Sequence, residues 1–226
     1  MSALLGEFTD GPISVLTSEG VSMILRRAIL ANVLQPGQAL RERDIAAELN
    51  ISRTPVREAL FTLNGEGLVE LSPRRNARVR KVNAADIIHI YALRAVLECF
   101  AARCAAEAHS PAELQGIADA LKEQKRLGSG GTAIQQARLD LAVHQAIARA
   151  AKSRLLETVL NQVLTVTATL RSRFKYDAAR AKAVYQEHLA IYQAIAAGDG
   201  DLAEQLMRQH IEQSRGYAEQ HPPTPA

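Results

Sequence analysis

Residues 40–64, LRERDIAAELNISRTPVREALFTLN, decide the fold of the N-terminal part of the chain, because they predict two short helices joined by a tight turn. Asn50 stands between the helices and tolerates the left-handed conformation that ends a helix. Ser52 can accept a hydrogen bond from an N–H of the second helix, and Pro55 falls in its first turn, where a missing N–H costs nothing. The spacing therefore predicts a helix-turn-helix.

Basic side chains lie on the polar side of the second helix. Arg53 and Arg57 are four residues apart and project side by side, with Thr54 beside them. Guanidinium groups there can bind guanine edges or phosphates, and Arg43 of the preceding helix could add a third contact. The alternative is a solvated, loosely paired surface, because acidic residues are interleaved with these arginines: Glu42, Asp44, Glu48 and Glu58. Helical periodicity alone leaves both interpretations open.

A basic hairpin is predicted directly after the helix pair. Residues 68–71 and 78–82 have the pattern of strands, and residues 72–77 between them predict a turn. The segment from 72 to 82 holds basic residues and no acidic one: Arg74, Arg75, Arg78, Arg80 and Lys81. Such a concentration of positive charge suits phosphates or a narrow minor groove, and so favours DNA binding.

Three runs in this region resemble the winged helix-turn-helix of GntR-type bacterial transcription regulators: LRERDIAAEL (40–49), ISRTPVREAL (51–60) and EGLV (66–69). The resemblance implies that Arg43, Arg53 and Arg57 contact operator bases or phosphates. It implies further that Thr54 contacts the DNA backbone and that the wing, with Arg74 and Arg75, also contacts DNA. A homodimer on a palindromic double-stranded operator is the assembly that this family resemblance implies.

Composition bounds the class of protein. The chain has 226 residues, enough for one large or two small domains, and 47% apolar with only 4% aromatic residues indicates a mainly α protein. A net charge of +3 is too small for a histone-like polycation and fits positive charge confined to one face. No stretch is long enough to span a membrane, and no secretory signal pattern is present, so we expect a cytoplasmic protein.

The sequence pattern changes near Asn83, where the predicted hairpin ends. Six long amphipathic helical segments follow, so we divide the chain at this point. We expect a winged helix-turn-helix followed by an antiparallel all-helical bundle. The expected parts are a flexible arm (1–16), a DNA-binding domain (17–82), a helical domain for effector binding and dimerisation (83–218) and a disordered tail (219–226).

Residues of metal-binding type recur in the helical part. Asp140 and His144 stand four apart and project from one helix face, and His188 and His210 lie in the last two helices. One carboxylate and three imidazoles suit a divalent metal ion, Zn or Ni foremost, with Mn, Co and Fe as further candidates. The alternative is that histidines on separate helices are ordinary surface or core residues, and spacing alone favours that alternative.

Four runs resemble the all-helical FCD effector domain of the FadR subgroup, in its shorter, VanR-like form: YALRAVLE (91–98), DLAVH (140–144), HLAIYQAIAAGD (188–199) and MRQH (207–210). In metal-containing members one Asp and three His meet at the centre of the bundle. The resemblance therefore implies a metal site formed by four residues of this chain: Asp140, His144, His188 and His210.

Arg94 is the candidate for binding the effector. In the family the arginine at this position often faces the ligand cavity, where it would bind a carboxylate through both nitrogens. The alternative is an ion pair with Glu98, one helical turn further on. Arg171 and Arg173 could also approach the cavity, and the sequence does not decide this.

These features predict a ligand-responsive transcription regulator, a repressor, whose operator affinity is modulated by a small carboxylate effector bound at the metal. One alternative is a metalloenzyme that uses the same Asp and His residues, although no separate general base is evident near them. A second alternative is a regulator whose metal is purely structural.

Overall fold

In the computed structural model the described residues are Leu5, 17–72 and 76–221. The chain divides into two compact units, and the division falls between Val82 and Asn83. Apart from Leu5, the expected arm lies outside the described residues, and so do Arg74 and Arg75 of the wing. Leu5 is buried in the core of the N-terminal unit, and its N–H donates to Glu48 Oε1 at 2.9 Å.

The described part of the N-terminal unit consists of α1 (Ser18–Leu30), β1 (Ala39–Leu40), α2 (Glu42–Glu48), α3 (Arg53–Gly65), β2 (Val69–Ser72) and β3 (Asn76–Val79). The strands form an antiparallel sheet in the order β1-β3-β2. Buried side chains from the helices and the sheet share one core, in which Leu25, Leu49 and Leu63 are almost fully inaccessible to solvent.

In the helix pair, the predicted conformation of the turn is observed, but the predicted capping hydrogen bond is not. Asn50 has a φ of +50°, as expected for a left-handed residue between α2 and α3. Ser52 occupies the N-cap position with extended backbone angles, but in the described structure its side chain makes no capping hydrogen bond. The prediction that the Ser52 hydroxyl begins α3 was therefore wrong, and α3 depends on the packing of its apolar side instead.

The hairpin is tighter than the sequence predicts. Ser72 pairs with Asn76, so the return strand begins two residues before the expected position and Ala77 lies in the strand rather than in a turn. Ala77 and Val79 are buried, and β3 pairs with β1 on its other edge. This second pairing fixes the register and was not predicted, because a two-residue strand leaves no pattern in the sequence.

The second unit consists of α4 (Ala84–Ala108), α5 (Pro111–Leu127), α6 (Ala133–Ala150), α7 (Arg154–Arg171), α8 (Ala178–Ala196) and α9 (Gly200–Gln220). The mainly α fold class is thereby confirmed. α4 packs against α6, α7, α8 and α9, and it is the helix around which the others are arranged. None of the helices in the described part of the chain has the length and apolar character needed to span a membrane.

Local sequence sets the helix ends. Asn83 and Asp86 form a reciprocal capping box at the start of α4, with both hydrogen bonds at 2.9 Å. The end of α9 differs from prediction, because Glu219 and Gln220, assigned to the tail, belong to the helix. Buried Ala218 and the contact of the Tyr217 ring with Tyr176 extend the packing to that point.

Candidate functional site

One carboxylate holds both candidate DNA-binding arginines of α3. Arg57 donates from Nε and Nη2 to the two oxygens of Glu42, each at 2.9 Å, and Arg53 Nη2 donates to Glu42 Oε2 at 3.1 Å. The hydrogen bonds from Arg57 are the main reason that the pKa of Glu42 is lowered to about 2. Glu42 therefore stays ionised and fixes the planes of two guanidinium groups at the N-terminus of α3.

Thr54 and Arg43, the other candidate DNA contacts in the helix pair, lie near this group. Thr54 is exposed in the first turn of α3. Arg43 is exposed on α2, and its Nε lies 3.4 Å from Asp44 Oδ1. The paired-surface interpretation is thus partly correct, since these arginines do have acidic neighbours. Pairing and DNA binding are compatible, because Arg53 still has 61% of its side chain exposed.

We expect the Glu42→Gln variant to bind non-specific DNA about 10-fold more tightly than the parent, because removing the carboxylate leaves two arginines uncompensated and raises the number of counterions released. Fluorescence anisotropy with a random duplex at two salt concentrations measures this. The matched control is Glu58→Gln on the same helix, since among the described residues Glu58 pairs with neither arginine. Equal effects of the two substitutions would contradict a specific role for Glu42.

Three buried histidines from three helices meet in the second unit. His188 Nε2 lies 3.2 Å from His210 Nε2, which lies 3.3 Å from His144 Nε2. Their ligand atoms are all within 4.8 Å of one another, and each side chain is at most 1% exposed. α6, α8 and α9 each contribute one ring to this histidine cluster (His144, His188 and His210).

The second nitrogen of each ring has an acceptor. His210 Nδ1 lies 2.7 Å from Glu187 Oε2, and His188 Nδ1 lies 3.0 Å from Gln124 Oε1. His144 Nδ1 contacts Glu98 Oε2. Because these oxygens accept, the hydrogen bonds of His188 and His210 favour the tautomer with the proton on Nδ1, which leaves the Nε2 lone pair for the centre of the cluster.

The electrostatics favour the neutral form of His188 and of His210. Burial, and then the neighbouring histidines, hold the pKa of His188 well below its usual value, and burial with His144 does the same for the pKa of His210. Neutral imidazoles are the form that binds metal. Lone pairs that converge at about 3 Å repel one another, and a cation between them removes that repulsion.

Asp140 stands beside the histidine cluster. Its Oδ1 lies 3.9 Å from His188 Nε2 and is buried without a hydrogen-bond partner among the described residues. Burial opposes ionisation of Asp140, but the surrounding histidines and Arg171 outweigh it and lower the pKa of the carboxyl. A buried carboxylate oxygen without a donor is a suitable metal ligand.

Arg94 both forms an ion pair with Glu98 and lies beside the candidate metal site, so each of the two interpretations of this residue is partly correct. It is buried, and its Nε donates to Glu98 Oε1 at 2.6 Å, which is the ion-pair alternative. Its Nη2 lies 3.3 Å from His144 Nε2, so the guanidinium also borders the histidine cluster. Burial alone would raise the pKa of Glu98, but the charge of Arg94 and the contact with His144 lower it to about 2.

Sequence reasoning missed two supporting residues of the cluster, Gln124 and Glu187. Glu187 precedes His188 in the chain but binds His210, and Gln124 comes from α5. An acidic residue next to a histidine was the available signal for Glu187. Nothing in the sequence marks Gln124.

Comparisons with known proteins agree with both units. Residues 17–79 match the family described as bacterial regulatory proteins, gntR family, and residues 89–213 match the FCD domain. The HTH-type transcriptional repressor RspR of Escherichia coli (strain K12) is 28% identical over 197 residues, 87% of this chain and 86% of RspR. The HTH-type transcriptional regulator LutR of Bacillus subtilis (strain 168) is 33% identical over 199 residues, 79% of this chain and 90% of LutR.

A solved structure supports the fold. That of E. coli McbR/YncC superposes with a TM-score of 0.79 at 20% identity and covers 92% of this chain and 99% of its own. The chain therefore belongs to the GntR family of bacterial transcription regulators and carries an FCD domain. It is a DNA-binding regulator rather than an enzyme, which removes the metalloenzyme alternative.

Proposed function

We propose that this protein is a cytoplasmic repressor of the FadR subgroup whose operator affinity is modulated by a small organic acid bound at a divalent metal. Residues 17–82 bind a palindromic operator, and residues 83–218 bind the effector and form the homodimer. The observation that carries the proposal is the convergence of three Nε2 atoms. Nδ1 of His188 and of His210 is hydrogen-bonded to a side-chain oxygen, and His144 Nδ1 contacts Glu98 Oε2.

The residues fit a metal ion by the chemistry of their donors. His144, His188 and His210 would supply their Nε2 nitrogens, and Asp140 would supply its unpaired oxygen. This set suits Zn or Ni, although Mn, Co and Fe have similar preferences. When bound, the ion supplies a Lewis-acid centre that attracts a carboxylate. Glu98, Gln124 and Glu187 orient the rings from behind.

On the DNA side, Arg53 and Arg57 would read base edges or phosphates, with Arg43 and Thr54 on the flanking backbone. The wing residues Arg74 and Arg75 would add phosphate contacts. Glu42 supports this assignment, because it binds one edge of the Arg57 guanidinium, through Nε and Nη2, and leaves Nη1 for a contact with DNA.

The proposed mechanism is a shift between two conformations that differ in operator affinity. The effector changes the balance only if it binds one conformation more tightly. A tenfold change in operator affinity requires a difference of about 1.4 kcal/mol, which is a modest demand on a charged ligand.

To test the proposal, operator fragments are first selected from random DNA by repeated binding. The affinity of the selected fragment is then measured for metal-loaded and metal-stripped protein, with and without a panel of small carboxylates. We expect at least one carboxylate to change the affinity of the metal-loaded protein alone. A panel without effect on either form would contradict effector control at the metal.

The alternative is that the metal is purely structural. One observation favours it: Arg94, the candidate for binding the effector, is already paired with Glu98. In that version the metal only joins α6, α8 and α9. Carboxylate binding that survives removal of the metal would favour it.

An apolar face on α4 and α7 supports the homodimer. Leu93, Val96 and Phe100 recur on one side of α4, and Leu155 and Val159 recur on α7, which packs against α4. All five side chains are exposed in the single chain. A second copy of this chain is the partner that a palindromic operator requires, and two-fold symmetry would place the same face on both sides of the interface.

We expect the double variant Val96→Glu/Phe100→Glu to be a monomer, because symmetry would place four unpaired carboxylates in one apolar interface. Light scattering after gel filtration reports the mass directly. Leu202→Glu, at an exposed apolar position on α9, is the control and should keep the mass of the parent. A dimeric double variant would show that the interface lies elsewhere.

A further inference from the structure

Arg171, at the end of α7, is a buried cation that forms no ion pair with an acidic side chain among the described residues. Its Nη1 donates to the carbonyl oxygen of Phe174 at 2.7 Å, while Nε and Nη2 are buried without hydrogen-bond partners among the described residues. The guanidinium carbon lies 3.2 Å from the centre of the Tyr176 ring, which holds the group in place. Burial of an arginine that keeps two nitrogens unpaired is costly, so a partner for them is to be expected.

Arg171 and Asp140, which both have unpaired buried atoms, line the same cavity. This cavity has a volume of about 20 Å³ and is lined by residues of α5 to α8 and the segment before α8, among them Gln124, Gln136 and Tyr176. Gln136 is not available as a partner, because both ends of its amide are bound to the backbone of Tyr176. Asp140 lines this cavity together with Arg171 and also lies beside the histidine cluster, where its Oδ1 is 3.9 Å from His188 Nε2.

The charges of the region balance before any metal is bound. Arg94 is paired with Glu98 at 2.6 Å, and Arg180 is paired with Glu187 at 2.7 Å. Asp140 and Arg171 remain, and their charges are opposite. A divalent ion therefore adds two positive charges to a site from which water is largely excluded. Two negative charges on the ligand restore the balance.

We propose that the effector is a dicarboxylate and that Arg171 binds its second carboxylate, while the first is held at the metal. This inference rests on the proposed function and specifies the class of ligand. Arg171 is better suited than Arg94, because Arg94 already donates to Glu98 whereas Arg171 keeps Nε and Nη2 for a planar anion.

The cavity must widen to admit such a ligand, because its volume is about that of one water molecule. Leu127 and Gly128, at the end of α5, form part of its border. Gly128 has a φ of +52°, and the short glycine-containing loop that follows separates α5 from α6. The closed and widened forms would then be two conformations between which a dicarboxylate discriminates.

The test uses zinc-loaded full-length protein and isothermal titration with succinate, malonate, glutarate and butyrate. Butyrate matches succinate in length but has a methyl group in place of one carboxylate. We expect the best dicarboxylate to bind about 10- to 100-fold more tightly than butyrate, the range for a charge-assisted pair. Arg171→Met should abolish that preference and leave butyrate binding unchanged.

Arg173→Met is the matched control, since Arg173 lies two residues further on and is not part of the cavity lining. Arg171→Lys keeps the charge without the planar fork, and it decides the question if Arg171→Met does not fold. Its preference for the dicarboxylate should fall about 10-fold.

The outcomes separate the two proposals. If all acids bind the parent equally, or if Arg171→Met and Arg171→Lys keep the preference of the parent, the role of Arg171 is overturned while carboxylate binding at the metal stands. If no acid binds the zinc-loaded parent, the proposed effector control fails together with this inference.

Discussion

Arg57→Ala is expected to lower operator affinity about 10- to 100-fold and to leave the melting temperature of the protein nearly unchanged. The substitution removes a guanidinium that can form paired hydrogen bonds to guanine or phosphate, an interaction worth about 1–3 kcal/mol. It also leaves Glu42 less neutralised beside the DNA, which adds repulsion. The side chain is partly exposed, so the core is not disturbed. Gel-shift titration at fixed salt measures the loss.

The control for charge is Arg154→Ala, at an exposed position in the first turn of α7. It reduces the net charge equally, and we expect no more than a small change in affinity. Arg53→Ala should resemble Arg57→Ala, with a smaller loss if Arg53 contacts phosphate alone. Unchanged operator affinity in both α3 variants would exclude these arginines from the interface.

His188→Ala is expected to reduce the metal content of the purified protein from about one ion per chain to nearly none. The substitution removes the ring whose Nε2 lies 3.2 Å from that of His210, and with it one of the proposed ligands. Metal that binds only the folded protein stabilises it by about 4 kcal/mol at 1,000 times its dissociation constant, so the variant should also lose the metal-dependent rise in melting temperature. Elemental analysis and thermal unfolding measure the two effects.

His89→Ala provides the comparison, because His89 is an exposed histidine on α4. It should keep the metal and the thermal shift of the parent. Circular dichroism shows whether the His188 variant is folded, and His210→Gln repeats the test at the neighbouring ring. A parent that binds no metal even after incubation with Zn or Ni would reduce the cluster to coincidental histidines, and only the DNA-binding proposal would remain.

Much of the fold could be predicted because its signals are local. The N-cap residues Asn83, Ser110 and Thr132 form capping boxes with residues only three positions further along the chain. Asn50 adopts the left-handed conformation that its residue type favours in the turn between α2 and α3. The exceptions depend on distant contacts. β1 exists only because β3 pairs with it, and the last turns of α9 are held where Tyr217 meets an aromatic ring from before α8.

The candidate site shows the same limit. Spacing along one helix relates Asp140 to His144 and Arg94 to Glu98, so both pairs could be predicted. Spacing cannot show which acceptor from another helix lies behind each imidazole, as Glu187 does behind His210. Nor could it decide the position of Arg171, because that depends on how α7 packs against α4 and α6.

The capping box of α4 has a mechanical consequence. Asn83 begins the helix at the boundary between the two units, and Glu98 lies fifteen residues further along it, about 22 Å by the helical rise. Continuous backbone hydrogen bonds make this stretch of helix stiff. The capping box stabilises one end of it, and Glu98 at the other end contacts the ring of His144. If the proposed effector displaced Glu98, the displacement would therefore act on a continuous helix whose N-cap residue directly follows the boundary between the two units.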